Sequence, residues 1–248
     1  LFDRPGGPYG DATGADWPDN WQRFAALGCI GGDIAAGAVK GYQPDIVHAH
    51  DWQAAITLAY MRYGKAAGVP SLITVHNLAF QGRFAASIFG ELGLPAEAMA
   101  VDGVEYYGGV GFLKAGLQAA WAITTVSPTY AQKIRTPEFG MGLDGLVNMR
   151  SADLYGIANG IDVEIWDPAT DRQLVAAYSA KTLKARKANK AAVEERFSLE
   201  SDAGPIDVLV NNSGVSTTQR LVDVSPEDFD FAFDTNVKGA FFVAQAVA

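Results

Sequence analysis

The stretch DIVHAHDW, residues 45–52, decides the fold. Its first half contains adjacent β-branched residues behind a proline, which is typical of a buried strand, and the Ala-, Leu- and Met-rich segment 53–63 has helical spacing. His48, His50 and Asp51 are therefore expected where a strand ends and a helix begins. Polar residues at such a junction are available to bind a ligand.

Two further predicted strands also run into polar residues. Residues 71–75 (SLITV) lead to His76, and residues 154–158 (LYGIA) lead to Asn159. In open parallel sheets, ligands bind outside the carboxyl ends of the strands, because helix N-termini point there and loops vary freely. The repetition predicts a binding site at this edge.

The wider pattern predicts an α/β fold with an open, mostly parallel sheet and helices on both faces. Strand 45–50, a helix from 53 to 67 and strand 71–75 form a βαβ unit, whose handedness makes the strands parallel. A helix at 112–120 and a strand at 122–126 continue the alternation. Residues 84–109 carry irregular Gly and Pro and are expected to form short helices and a loop over the crevice.

Composition narrows the classes of partner. The 248 residues are 49% hydrophobic and carry a formal net charge of −9, which argues against nucleic acid as a partner. A lone cysteine, Cys29, favours a reducing compartment. Because no signal peptide and no transmembrane run of apolar residues is apparent, we expect a cytoplasmic protein that does not enter a membrane.

Six runs of sequence, in the same order, resemble bacterial glycogen synthase, a retaining glucosyltransferase of glycogen biosynthesis that extends α-1,4-glucan from ADP-glucose. The runs are FDRPGGPYGD (2–11), DIVHAHDWQAA (45–55), TVHNLAFQG (74–82), FLKAGL (112–117), TTVSPTYA (124–131) and NGIDVEIWDPATD (159–171). The resemblance extends from residue 1 to about Leu199.

This resemblance implies the N-terminal Rossmann half of a two-domain glycosyltransferase of the GT-B type. In the family, the histidine of the VHN motif, here His76, lines the sugar site. The aspartate of the HAHDW motif, here Asp51, and the asparagine of the NGID motif, here Asn159, face the same cleft. These three residues are the predicted catalytic group, and glucan or a small sugar is the predicted ligand.

The sequence also departs from the family pattern. No KxGGL loop, whose lysine meets the nucleotide phosphates in the family, precedes Leu1, and no second Rossmann domain with its phosphate-binding cations is recognisable. Without those cations the charge of the departing diphosphate is unbalanced. The expectation is therefore a remnant that binds sugar without transferring glucose.

The tail resembles a different family, the short-chain dehydrogenases. Residues 204–215 (GPIDVLVNNSGV) and 234–248 (DTNVKGAFFVAQAVA) carry the resemblance, with Asn236 in the place of a catalytic asparagine. The glycine-rich TGxxxGxG turn and the YxxxK pair are absent from the sequence, so an NAD(P)-dependent oxidoreductase is the least favoured interpretation and no cofactor is predicted.

The chain is therefore interpreted as a chimera of a glycogen synthase-like domain, residues 1–199, and a dehydrogenase-like βα fragment, residues 201–248. The fragment is expected to dock on the same sheet and cover an edge, and a sheet edge left exposed would favour oligomerisation.

A small hydrolase, a lactonase or esterase, is the alternative function. His48, His50 and Asp51 resemble the start of an HxHxDH metal motif, with His76 as a third ligand, although the spacing differs by one residue and no metal site is predicted. Ser127 lies at a strand-to-helix turn, but VSPT lacks the GxSxG pattern, and a capping role explains it.

Overall fold

The computed structural model describes residues 3–11 and 13–199, and the chain divides into two compact units, 1–4 with 16–159 and 5–15 with 160–248. The α-helices are α1 (Asn20–Ala35), α2 (Asp51–Arg62), α3 (Phe112–Ala119), α4 (Pro128–Lys133), α5 (Pro137–Gly140), α6 (Asp144–Met149) and α7 (Arg186–Arg196). The strands are β1 (Val47–His50), β2 (Ser71–Val75), β3 (Arg83–Ala85), β4 (Glu105–Tyr106), β5 (Gly109–Gly111), β6 (Ala122–Thr125) and β7 (Leu154–Gly156). Four 3-10 helices span Ala86–Glu91, Ala96–Ala98, Ser151–Asp153 and Leu183–Ala185.

The main sheet of the first unit is parallel, with strand order β1-β2-β6-β7. Val47 pairs with Ser71, and Leu72 pairs with Ala122, so the three strands start and end together. The α/β fold with a parallel sheet and helices predicted from sequence is confirmed. Because the strands are parallel, the residues that follow them lie at one edge.

Residues 84–109 differ from the expectation of short helices and a loop. Two 3-10 helices are present, but β3, β5 and β4 also form a small antiparallel sheet. Its strands are two or three residues long and β5 reads GVG, so neither length nor alternation gave a strand signal.

Helix α1 runs unbroken through three glycines that face α2. A Cβ at Gly31 would lie 2.8 Å from Thr57 Cγ2, and one at Gly32 would lie 3.0 Å from Tyr60 Cβ. These glycines lower intrinsic helix stability, yet they let the two helices pack closely. Tertiary packing therefore outweighs helix propensity in α1.

Trp52 joins the two hydrophobic clusters of the first unit. Its ring packs partly buried against both, with Phe24 edge-on at 4.7 Å between ring centroids. Residues of α2 that face the sheet, such as Leu58, lie in one cluster, and those that face α1, such as Ile56, lie in the other. The residue after Asp51 thus anchors the candidate site to the core.

We expect Gly82→Ala to lower the free energy of unfolding by about 2–3 kcal/mol, measured by urea denaturation. Gly82 has φ +59°, and a Cβ there would lie 2.8 Å from Trp52 Cδ2. Gly93→Ala is the matched control, because Gly93 has φ +68° and a Cβ at this position would meet no heavy atom within 4 Å. The control should lose only about 1 kcal/mol. Equal losses would show that Trp52 does not constrain position 82.

The second unit contains α7 within its described residues. Asn189 holds the chain before this helix, because its Oδ1 accepts from the Ala176 amide at 2.9 Å and its Nδ2 donates to the Ala176 carbonyl at 2.8 Å. The predicted dehydrogenase-like fragment, 201–248, lies outside the described residues, so its docking stays a prediction. Among the described residues, no helix has the length and apolarity needed to span a membrane.

Candidate functional site

The polar edge, defined as His48, His50, Asp51 and His76, lies where β1 and β2 end. Both histidines of β1 are exposed, and the β1–β2 register sets His50 opposite Thr74, two residues before His76. The register therefore brings together residues that are 25 or more positions apart in sequence.

The imidazoles form a short column across the two strands. His50 Nδ1 lies 3.1 Å from His76 Nε2, and the rings of His48 and His50 are 4.3 Å apart between centroids. His48 Nε2 lies 2.7 Å from Thr74 Oγ1, which in turn lies 2.6 Å from Thr124 Oγ1. A chain of hydrogen bonds therefore runs from the His48 ring through Thr74 to Thr124, inside the sheet.

Asp51 positions the backbone at His76. Its Oδ1 accepts a hydrogen bond from the His76 amide at 2.7 Å. Asp51 has φ +52°, a left-handed conformation that is uncommon outside glycine and tolerated best by Asn and Asp. It is also the first residue of α2, where a carboxylate is favoured by the helix dipole. The left-handed backbone at Asp51 is strained, and it accompanies the hydrogen bond between the Asp51 carboxylate and the His76 amide.

The site electrostatics are clearest at His48. Although His48 is exposed overall, desolvation of the part of its ring that contacts the sheet lowers the pKa of His48 below its usual 6.5, and the neighbouring His50 and His76 lower that pKa further. The folded chain therefore binds this proton less readily than the unfolded chain, so the contribution of His48 to stability falls as pH drops below about 6.5. We expect an imidazole NMR titration to place the pKa of His48 below 6.5. A value at or above 6.5 would contradict the partial burial of this ring.

Asn159 is not joined to the other predicted catalytic residues. It is exposed, three residues beyond β7, and β7 lies two strands from β2. Two strand spacings correspond to about 10 Å. In the part of the chain that the structure describes, no hydrogen bond connects Asn159 to Asp51 or His76. The three residues lie at one edge of the sheet, and Asp51 and His76 are the two that are in contact.

Of the features that suggested a hydrolase, Ser127 has a structural role. Ser127 Oγ accepts from the Tyr130 amide at 2.9 Å and caps α4, as the capping interpretation predicted. Across residues 3–11 and 13–199, no group of three or more His, Cys, Asp or Glu side chains is placed to hold a metal ion. The three-ligand metal motif is therefore not assembled.

Sequence reasoning missed three supporting residues. Thr74 and Thr124 are buried hydroxyl residues on neighbouring strands, and threonine in a predicted buried strand was the available signal. Tyr130 accepts a hydrogen bond from the Leu78 amide at 2.9 Å, which fixes the loop after His76. Nothing in the local sequence marks that contact, because 52 residues separate the two groups.

Comparison with known proteins shows which family the sequence resembles. A family model described as starch synthase catalytic domain matches residues 1–149, more than half of the 248 residues. Glycogen synthase of Mesorhizobium japonicum is 76% identical over 90% of this chain and 46% of its own length. Glycogen synthase of Rhizobium tropici is 56% identical over 92% of this chain and 47% of its own. The chain thus spans just under half the length of these relatives.

A solved structure agrees with the sequence match. The catalytic domain of starch synthase IV from Arabidopsis thaliana, bound to ADP and acarbose, has a TM-score of 0.58 and 32% identity, and the match covers 77% of this chain and 40% of that one. The α/β fold with its parallel sheet is therefore like that of a glycosyltransferase catalytic domain of the GT-B type. More specifically, the chain belongs to the starch synthase catalytic domain family, together with the bacterial glycogen synthases.

A second family model, described as enoyl-(acyl carrier protein) reductase, matches residues 158–248. Only 157 residues precede that range, so the 224-residue match to the Mesorhizobium glycogen synthase must extend at least 67 residues into it. Much of the C-terminal part of the chain is therefore matched by two different families.

Proposed function

We propose that the chain is the sugar-facing part of a glycogen synthase site, which binds α-1,4-glucan or a small sugar at the edge that carries His76, Asp51 and Asn159. The hydrogen bond from the His76 amide to the Asp51 carboxylate is the observation that carries the proposal. It fixes the backbone at His76 and leaves the ring exposed at the carboxyl ends of parallel strands, where sugars and nucleotides bind in open α/β folds. The starch synthase IV structure, solved with ADP and acarbose, supports a sugar ligand.

Calorimetric titration with maltohexaose tests the proposal. We expect saturable binding by the unmodified chain and at least tenfold weaker binding by His76→Ala. Trp121→Ala is the control, because Trp121 is 56% exposed beside the amino end of β2, at the opposite edge of the sheet. Loss of binding in the control, with retention in His76→Ala, would show that the sugar stacks on an exposed aromatic instead.

We propose further that this polypeptide by itself does not transfer glucose. Breaking the bond to a nucleotide diphosphate develops negative charge that cations must stabilise. In the described ranges, the hydrogen bonds of the polar edge involve imidazoles, a threonine hydroxyl, the Asp51 carboxylate and a backbone amide, with no lysine or arginine among them. Incorporation of labelled glucose from ADP-glucose into glucan, at a rate above that of an Asp51→Ala variant, would refute this part.

A composite origin is also proposed, with glycogen synthase-like residues 1–199 joined to dehydrogenase-like residues 201–248. The second family match supports it, although the glycogen synthase match overlaps the same region. A chain ending at Leu199 should bind maltohexaose within twofold of the 248-residue chain. A larger loss would make the tail part of the sugar-binding unit.

A further inference from the structure

One side-chain contact within the polar edge joins two imidazole nitrogens. His50 Nδ1 and His76 Nε2 are 3.1 Å apart, with ring centroids at 5.4 Å and planes tilted by 33°. Without a metal, one nitrogen donates a proton to the other. An imidazole nitrogen bound to a transition metal lies about 2.0–2.1 Å from the ion, so two such bonds at a roughly tetrahedral angle hold the nitrogens about 3.3 Å apart. The observed separation is within a few tenths of an ångström of that value.

We propose that His50 and His76 form a two-imidazole clamp for one divalent late transition-metal ion. The ring that donates the shared proton takes the tautomer with its proton on the other nitrogen, so both imidazoles stay neutral and each presents one lone pair to the ion. The clamp is distinct from the three-ligand motif HxHxD, which is not assembled. It uses one nitrogen from each of two rings, and water fills the remaining coordination positions. The site is therefore open and exchangeable.

The backbone holds both ligands in place before any metal arrives. His50 is the last residue of β1 and pairs across the sheet with Thr74. His76 follows β2, and the Asp51 carboxylate holds its amide at 2.7 Å. Metal binding by this pair therefore loses little conformational entropy, because only small rotations of the two exposed rings are needed.

His48 is not a third ligand, although its ring stacks on His50. Its Nε2 is held at 2.7 Å from Thr74 Oγ1, and that hydroxyl is itself 2.6 Å from Thr124 Oγ1. Turning Nε2 toward the clamp would break this chain of hydrogen bonds within the sheet. His48 therefore serves as the internal control for the two clamp residues.

The donor set identifies the class of ion. Imidazole suits Zn²⁺, Ni²⁺ and Cu²⁺, whereas Mg²⁺ and Ca²⁺ prefer oxygen ligands, and affinity at nitrogen sites is greatest for Cu²⁺. If the proposed function holds, a metal on the ring of His76 also competes with sugar. That consequence rests on the proposed function, and the metal site itself does not.

Cu²⁺ is the probe, followed by calorimetry and electron paramagnetic resonance on the 248-residue chain carrying Cys29→Ser, since Cys29 is an exposed thiol and thiols are good ligands for copper. We expect one Cu²⁺ per chain with hyperfine coupling to two imidazole nitrogens. His50→Gln and His76→Gln should each weaken binding at least tenfold, and His48→Gln should change it less than twofold.

Several results would overturn the clamp: no stoichiometric Cu²⁺, equal weakening by His48→Gln, or full retention in either clamp variant. A second measurement adds Zn²⁺ to the chain that carries Cys29→Ser and retains all three histidines. It follows the imidazole nitrogens by NMR. The ¹⁵N signals of His50 Nδ1 and His76 Nε2 should shift together, and unchanged signals at saturating Zn²⁺ would also refute the site. Competition of Cu²⁺ with maltohexaose is measured separately, so a failure of sugar binding leaves the metal result standing.

Discussion

Asp51→Ala is expected to weaken maltohexaose binding at least tenfold while the chain remains folded. The substitution removes the carboxylate that accepts from the His76 amide at 2.7 Å, so the backbone at His76 is no longer held. It also places alanine at φ +52°, where a side chain other than Asn or Asp is strained. Calorimetry measures the affinity, and circular dichroism verifies the fold.

Two matched variants separate the causes. Asp51→Asn keeps an acceptor oxygen and a residue that tolerates the left-handed conformation, so it should bind sugar within about threefold of the unmodified chain. Asp51→Gly relieves the strain but supplies no acceptor, and it should behave like alanine. If glycine binds as well as asparagine, backbone strain rather than the hydrogen bond governs the site.

Arg150→Met is expected to have the largest effect on stability, a loss of about 3–5 kcal/mol in the free energy of unfolding. The Arg150 guanidinium donates to the carbonyls of Leu117 and Ala120 at 2.8 and 2.7 Å, at the end of α3. Its side chain is only 17% exposed, so the carbonyls would lose charged donors in a partly buried place. Urea denaturation measures the loss.

Asp153→Ala is the control for that prediction. Asp153 pairs with Arg150 Nε at 2.9 Å but is 46% exposed, so its removal should cost less than about 1 kcal/mol. A loss as large as that of Arg150→Met would assign the stability to the ion pair. A negligible loss in both variants would show that water satisfies the end of α3 equally well.

The parallel sheet could be predicted from the sequence because its strands are short, largely apolar runs that alternate with helices. Residues 71–75 were predicted as a strand, and β2 spans Ser71–Val75. The small antiparallel sheet was not readable, since Glu105–Tyr106 and Gly109–Gly111 are too short to show a period. The close packing of the α1 glycines on α2 is a tertiary effect, which local sequence patterns do not report.

The candidate site was predicted in part. Placing Asp51 and His76 at one edge followed from two strand ends in a parallel sheet, and the family resemblance named both residues. Their hydrogen bond depends on the backbone at φ +52°, which no pattern in the sequence reports. Thr74 is similar, because its contact with His48 reflects the β1–β2 register rather than the identity of its neighbours.

The most direct test follows the imidazole signals of the chain during a titration with maltohexaose. The chain has only three histidines, so substitution of each by glutamine assigns every signal. Sugar binding at the polar edge predicts saturable shifts for His76 and for its hydrogen-bonded neighbour His50, with an affinity that matches calorimetry. Binding by calorimetry with all three imidazole signals unmoved would place the sugar elsewhere and contradict the account.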